Sequence, residues 1–299
     1  MNPVATAVSA GKWLRGKIWR GTLGVGLALV LSFALAAALA DVLYPGDPSS
    51  LGSAAARLQS PGPQHPLGTD PLGRDVLARL IHGSRVSLLV GWASVLVAVF
   101  CGSLVGLAAG LGPHLVDRLL MGLTDMFLAF PRIFLVLLLV SLTAPSLLLV
   151  MAVLGLTGWM GVARLVRAEV LSLRKRDFVT AARGLGLSGW RIAVRHIVPN
   201  VLPTLIVAAT LRIGNTILLE SFLSFLGLGA QEPSVSWGAM IQQGRPYLLE
   251  GWWLTTFPGL AITLTVIGYN LLGEGLRDHF DPRSPTKGRG LDRFQAARS

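Results

Sequence analysis

Three ionisable side chains, Asp125, Arg212 and Glu220, fall inside long apolar runs of the sequence. A charge within a membrane-length apolar segment is costly, so each is a candidate functional residue. Arg212 and Glu220 are eight positions apart. On a helix they would share a face but lie about 12 Å apart, too far to pair directly. Each could meet a charged group of a solute, bond a neighbouring helix or lie at a bilayer edge, and we favour the two structural roles.

No catalytic pattern accompanies these residues. The sequence has no Gly-x-x-x-x-Gly-Lys-[Ser/Thr] phosphate-binding loop, no His-Glu-x-x-His metal motif and no Gly-x-Ser-x-Gly nucleophile motif. The single cysteine, Cys101, excludes an intrachain disulfide. We therefore predict no enzymatic activity and no cofactor in this chain.

One group of polar residues could suggest a metal site: His65, Asp70 and Asp75. A turn-forming role is the better interpretation, because Asp and the intervening glycines supply turn geometry. Arg74 and Arg79 are charge partners nearby. We predict no metal ligands here.

Composition indicates a membrane protein. Of the 299 residues, 52% are hydrophobic and 14% are charged, and the mean hydropathy is +0.62. A soluble globular domain carries about 25% charged residues. In one apolar run, Gly102, Gly106 and Gly110 recur every four residues, which lets helices pack closely. We predict an all-α integral membrane protein with six spans, at residues 21–43, 85–112, 119–142, 144–166, 201–226 and 252–272.

The net charge of +11 predicts the orientation of these spans. Basic residues flank the apolar runs and are not interleaved with aromatic residues, so they do not indicate nucleic-acid binding. Residues 1–20, 164–200 and 273–299 would share one side, and they hold eighteen of the 26 lysines and arginines. The positive-inside rule makes that side cytoplasmic. The cytoplasmic segments then include both termini, among them the tail 284–299, while the loops 44–84 and 227–251 face outward.

The N-terminal region has two interpretations. Residues 1–20 are basic, and Ala38-Leu39-Ala40 ends the apolar run that follows, as in a signal peptide with its cleavage site. That run is about 20 residues long, whereas a signal core has 7–15. We therefore predict an uncleaved first span. The loop after it is expected to contain a short amphipathic helix with Val76, Leu77, Leu80 and Ile81 on one side.

Residues 174–200 lie between two apolar runs but are too polar to lie in lipid; we call them the elbow. Asp177 is predicted to cap a short helix, because its carboxylate can accept the free N–H groups of a first turn. Gly184 and Gly186 are predicted to end it, since glycine tolerates the left-handed cap. One face of this helix would hold Phe178, Ala181, Ala182 and Leu185.

A second short helix is predicted to follow in the elbow. Ser188 can cap it, and Pro199 and Pro203 are expected to stop it or redirect the chain. Basic residues flank both helices. One face of the second helix would hold Trp190, Ala193, Val194 and Ile197.

The elbow resembles the EAA loop of ABC-importer permeases, in which Glu-Ala-Ala is followed by a spaced Gly and by Ile-x-Leu-Pro. Thr180, His196 and Val198 stand where that loop has Glu, Ile and Leu. The matching residues are Ala181, Ala182, Gly186 and Pro199.

Further segments strengthen this resemblance and narrow it to one branch, the C-type permease of dipeptide, oligopeptide or nickel importers. The likeness runs from about residue 65 to residue 283. Four sequence segments are similar to segments of these permeases and occur in the same order: HPLGTDPLGRDVLARLI (65–81), ESFLSFLGLG (220–229), PSVSWG (233–238) and LLGEGLRDHFDPR (271–283).

This resemblance implies a type I importer permease of the inner membrane, with its transmembrane domain at 85–283. A homologous B-type permease, two ATPases that bind ATP and Mg²⁺, and an extracytoplasmic binding protein would complete it. Peptide is the commoner solute of such permeases and is favoured over nickel. The similarity of the segment around Glu220 suggests that this residue has a role in packing or gating. The residues implied to couple to the ATPases are Thr180, Ala181, Ala182, Gly186, Trp190, His196 and Pro199.

Three alternatives stay open from the residues alone. The elbow could be an ordinary linker at the membrane surface. The chain could be an ion-coupled secondary carrier, which would work without an ATPase and need more buried acids than Asp125 and Glu220. It could be a membrane enzyme, which the lack of clustered nucleophiles, acids or metal ligands disfavours.

Overall fold

A computed structural model describes residues 3–142 and 146–280, with side chains from residue 21 onward. The described chain is built from helices and turns, with one isolated antiparallel bridge between Thr69 and Asp75. This confirms the predicted all-α class. The predicted tail, 284–299, lies outside the described residues. The helices are α1 (Pro3–Ala38), α2 (Ala40–Leu43), α3 (Val76–Leu111), α4 (His114–Leu128), α5 (Arg132–Ser141), α6 (Leu147–Leu156), α7 (Trp159–Leu173), α8 (Asp177–Gly184), α9 (Gly189–Ile192), α10 (Val198–Phe225), α11 (Trp237–Gly244) and α12 (Trp253–Phe280).

Five described helical segments are long and apolar enough to cross a bilayer, and a bent pair makes six if it counts as one span. The bent pair is α4 and α5, whose axes differ by 78°. Pro131 precedes α5 and has an extended backbone. Proline lacks an N–H and disfavours helical geometry in the residue before it, so the helix breaks there. The span predicted for 119–142 therefore corresponds to the bent pair, with its break at the Pro131-Arg132 position.

The second span begins earlier than predicted. Asp75 caps α3, accepting a hydrogen bond from the Ala78 N–H at 3.0 Å, and the helix then runs without interruption for 36 residues. The short amphipathic helix predicted at 76–81 is thus the first turns of α3. The strong N-cap explains why the helix starts in the polar loop.

The predicted glycine row holds α3 against α7. A Cβ atom on Gly102 would lie 2.5 Å from the Val162 Cβ, and one on Gly106 would lie 2.6 Å from the Ala163 carbonyl oxygen. Such distances are too short for any side chain. Glycine therefore lets the two backbones approach, as the spacing predicted.

The fifth span joins the second elbow helix. A π-helical turn, Ala193–Ile197, connects α9 to α10, so that Gly189–Phe225 is one long helical segment. Pro199 lies in the first turn of α10, where proline is tolerated, and Pro203 lies inside the helix. Of the two roles predicted for these prolines, stopping the helix is wrong, because the helical segment continues through both.

Apolar side chains pack in three clusters within the described chain. The first joins α1, α3, α10, α11 and α12, the second joins the elbow to α7 and α10, and the third joins α3, α5, α6 and α10. Representative buried members are Trp237 and Tyr269 in the first, Leu173, Val179 and Ile197 in the second, and Val136, Val150 and Leu223 in the third.

Candidate functional site

The N-cap of the first elbow helix lies one residue earlier than predicted. Arg176 has the extended backbone of an N-cap residue (φ −75°, ψ 149°), and Asp177 already lies in the first turn, where it makes no capping hydrogen bond. The prediction of Asp177 as N-cap is wrong by this one position. Its carboxylate still lies at the positive end of the helix dipole.

The corner of the elbow forms where glycine was predicted. Gly186 has φ +78°, a conformation that costs an L-residue roughly 1–2 kcal/mol. The Gly186 N–H donates to Arg183 O at 2.9 Å, and the Leu187 N–H donates to Ala182 O at 3.2 Å. These two bonds are the Schellman pattern that closes a helix end. The Ser188 hydroxyl then accepts from the Arg191 N–H, as predicted.

The inward face of the elbow agrees only in part with the predicted faces, of which Ala182, Ala193 and Ile197 are buried. The fully buried side chains include Val179 and Ile192, which neither predicted face contained. Sequence reasoning missed them because apolar residues surround both helices, so more than one stripe fits the helical period. Their burial against the second cluster fixes the elbow on the ends of α7 and α10.

The outward face carries large apolar side chains at the corner. Leu185 is 81% exposed, Trp190 is 79% exposed and Val194 is 47% exposed. Arg183 and Arg191 beside them are also exposed. Large exposed apolar side chains grouped with charged ones in one short segment are typical of a protein-interaction surface.

The remaining elbow residues lie around this corner. Thr180, Ala181 and Pro199 are exposed. The ring of His196 lies 6.4 Å from the ring of Phe178. At the base of the elbow, Arg174 Nη1 donates to Gly110 O at 2.7 Å and so ties the elbow to the end of α3.

The three intramembrane candidates have separate partners. Asp125 accepts a hydrogen bond from Arg164 Nη2 at 2.6 Å. Arg212 Nη1 donates to Gly158 O at 3.1 Å. Glu220 is completely buried and accepts from the Ser224 hydroxyl at 2.6 Å. As predicted, Arg212 and Glu220 do not pair.

A second polar centre lies at the other end of α3, in residues 52–75 and 230–251, which we call the loop cap. Asp70 is buried and binds Arg74 at 2.6 Å and also Arg79, the charge partners predicted for it. The Arg74 guanidinium reaches Glu232 Oε1 at 2.8 Å, and Arg79 reaches Gln243 Oε1 at 2.8 Å. Sequence reasoning missed Glu232 and Gln243, which lie more than 150 positions away in the chain.

Charge pairing shifts ionisation in the loop cap. The hydrogen bond from Arg74 lowers the pKa of Glu232 below its ordinary value. Burial acts to lower the pKa of Arg74, but hydrogen bonds to Glu232 and Asp70 outweigh it and raise that pKa overall. His65 binds Asp75 at 2.7 Å. Of the three polar residues that could have suggested a metal site, His65 and Asp75 thus bind each other and Asp70 binds the two arginines.

Comparison with known proteins identifies the family to which this sequence is similar. Residues 102–284 match the family described as binding-protein-dependent transport system inner membrane component. The chain belongs to this family. It is also 40% identical to the dipeptide transport system permease protein DppC of Alkalihalophilus pseudofirmus, over 87% of this chain and 85% of that one. The oligopeptide transport system permease protein OppC of Haemophilus influenzae is 42% identical over 73% of this chain and 70% of that one.

The fold of this inner membrane component is also found in solved structures. The inward-facing MetNI methionine ABC transporter contains a chain with TM-score 0.55 and 19% identity, covering 66% of this chain and 94% of that one. The likeness shows the fold of an ABC importer permease. This family of permeases works with ATPase subunits and a substrate-binding protein.

Proposed function

We propose that this chain is a permease subunit of an ATP-driven importer of di- and oligopeptides, which moves its solute across the cytoplasmic membrane by alternating access. The observation that carries the proposal is the 40% identity to a dipeptide permease over 87% of the chain. The chain itself performs no catalysis, and ATP and Mg²⁺ bind to partner subunits. Import of nickel or another small solute by the same machinery is the alternative.

The elbow is the proposed contact with the ATPases. Its exposed Leu185 and Trp190 would fill an apolar groove, and the flanking arginines would meet polar groups at the rim. Aromatic and arginine side chains dominate the energy of such contacts. Because Val179 and Ile192 pack against the ends of α7 and α10, a displacement of the elbow would be carried directly to those spans.

A second, B-type permease would cover the apolar faces that this chain leaves exposed. Phe134 on α5 is 66% exposed, and Leu218 on α10 is 52% exposed. Lipid or a partner helix can cover such residues, and a solute path requires a second wall. The binding protein would dock on the loop cap, whose buried ion pairs hold its surface in place.

Orientation follows from the basic residues: the elbow and both termini are cytoplasmic, and the loop cap is extracytoplasmic. Labelling of introduced cysteines tests this orientation. Arg191→Cys and Leu249→Cys, in a Cys101→Ser background, should react with an impermeant maleimide from opposite sides, since both positions are exposed. Labelling of both from one side would overturn the topology.

Reconstitution tests the function itself. The chain, its companion permease, the two ATPases and the binding protein would be assembled in proteoliposomes and given radiolabelled dialanine or a nickel chelate. We expect dialanine uptake that requires ATP, both ATPases and the binding protein. Uptake without the ATPases would favour an ion-coupled carrier, and uptake of the nickel chelate alone would replace the peptide assignment.

A further inference from the structure

Two guanidinium groups converge on the break between α6 and α7. Arg132, at the start of α5, donates from Nη2 to Leu154 O at 3.1 Å. The same Nη2 lies 3.4 Å from the position that a Cβ atom on Gly158 would take. Arg212, from α10, donates to Gly158 O at 3.1 Å. Two cations therefore lie around one short stretch of backbone.

Neither cation has a counter-charge in the part of the chain that the structure describes. Two acids of α4 pair with other arginines, since Asp117 binds Arg167 at 2.6 Å and Asp125 binds Arg164 at 2.6 Å. Uncompensated charge away from water is costly. An anion at this place would offset that cost.

The hydrogen-bonding capacity of both side chains is also largely unused. A guanidinium carries five N–H donors, and Arg132 and Arg212 each donate one hydrogen bond within the described residues. The Nε of Arg132 is buried and has no partner. Arg132 and Arg212 are both partly exposed.

Both arginines lie on interrupted or membrane-length helices. Arg212 lies at the middle of the 28-residue α10, which belongs to a helical segment long and apolar enough to cross a bilayer. Arg132 begins the second half of the bent pair α4 and α5, and Gly158 lies at the break between α6 and α7. Discontinuous helices at mid-membrane depth form the solute sites of many transporters. Asn215, one turn from Arg212, is exposed and adds an amide to the same face.

We infer that Arg132 and Arg212 form an anion subsite that binds a carboxylate of the solute during its passage, in a dipeptide its C-terminal carboxylate. The inference rests on the proposed function, which supplies a carboxylate-bearing solute. Planar guanidinium groups bind carboxylates through paired, charge-assisted hydrogen bonds, so two of them can replace the water lost by one carboxylate. The backbone bonds to Leu154 and Gly158 would hold the guanidiniums in place.

The test measures binding to the purified assembly without the binding protein. Radiolabelled dialanine would be bound to wild type and to Arg132→Gln, Arg212→Gln, Arg132→Lys and Arg212→Lys. Dialanine amide, which lacks the carboxylate, would serve as competitor. We expect each Gln change to weaken dialanine binding about tenfold or more, as expected for loss of one charged hydrogen-bond partner. The Lys variants should retain part of the affinity, and the amide should compete about tenfold or more less well than dialanine.

Arg118→Gln is the matched control, because Arg118 is an exposed arginine in α4, and it should bind dialanine like wild type. Equal binding by wild type and the Gln variants, or equal competition by the amide, would overturn the subsite. Loss of the companion permease from the Gln variants during purification would also overturn it, in favour of an acid on that subunit as the partner. If wild type binds dialanine as described but the reconstituted importer does not transport it, the proposed function fails and the subsite stands.

Discussion

The loop cap and the elbow lie at opposite ends of α3, and both consist of turns and short helices, yet they differ in what they bury. At the loop cap, Asp70, Arg74 and the adjoining Arg79 of α3 are each at most 5% exposed, and Asp70 binds both arginines. In the elbow, Leu185 and Trp190 are about four-fifths exposed. The loop cap buries charged side chains, and the elbow exposes apolar ones.

The buried ion cluster of the loop cap is typical of internal structure, whereas the exposed apolar side chains of the elbow are typical of an interaction surface. Buried charges require partners with fixed geometry, and the loop cap supplies them from its own chain. Exposed apolar side chains gain most from burial by another molecule. The loop cap is therefore complete without a partner at its ion cluster, whereas the elbow is proposed to be completed by an ATPase.

The largest expected effect comes from breaking the ion cluster of the loop cap. Asp70→Ala leaves two buried arginines without their shared carboxylate. Removal of one partner from a buried ion pair costs about 3–5 kcal/mol. We expect a marked drop in the melting temperature of the purified assembly, measured by thermal unfolding in detergent.

The control for this change is Asp47→Ala in the same loop. Asp47 is an exposed carboxylate that bonds Ser49, and its removal should leave the melting temperature unchanged. Equal effects of the two substitutions would contradict the assignment of the ion cluster as a buried structural centre.

The next largest effect is expected from a substitution in the elbow. It should weaken the binding of the ATPase and change the stability of the permease little. Trp190→Ser removes the most exposed aromatic side chain of the corner. If that ring fills an ATPase groove, its loss should cost about 2 kcal/mol or more of binding, as for other aromatic anchors. Titration of the purified ATPase onto the permease pair measures this. Trp252→Ser is the matched control, because Trp252 is 52% exposed but lies near the loop cap; an equally weakened ATPase affinity there would contradict the proposed docking surface.

The same two regions show what sequence can reveal. Turn chemistry at Gly186 and Ser188 is local, so the corner of the elbow could be predicted from residue types alone. The pairing of Arg74 with Glu232 joins positions 158 apart, and no local pattern marks it. Similarly, the break at Pro131 has a local cause, but proline also occurs inside α10 without breaking it.

A smaller effect is expected at the corner of the elbow. Gly186→Val places a β-branched residue at φ +78°, which costs roughly 1–2 kcal/mol of local strain. The corner should shift while the spans remain folded. We expect ATP hydrolysis to continue while dialanine uptake by the reconstituted importer falls.

The control for that substitution is Gly184→Val, at the last residue of α8. Its Cβ would meet nothing within 4 Å, and its φ is not positive. Uptake by this variant should stay near wild type. Normal uptake by Gly186→Val would show that the left-handed corner is not needed for coupling.

The smallest expected effect is the pH dependence of the stabilisation that Glu232 contributes at the edge of the loop cap. Because the hydrogen bond from Arg74 lowers the pKa of Glu232 in the folded protein, the ionised carboxylate stabilises the fold above its ordinary pKa of 4.5. That stabilisation is lost as the pH falls through the lowered folded-state pKa. Glu232 is 54% exposed, so the contribution should be about 0–1 kcal/mol. The difference in melting temperature between wild type and Glu232→Gln should therefore be small and constant above about pH 6 and should shrink in acid. A difference that grew as the pH fell would mean that Glu232 is not ionised beside Arg74, and the ion cluster would then end at Asp70.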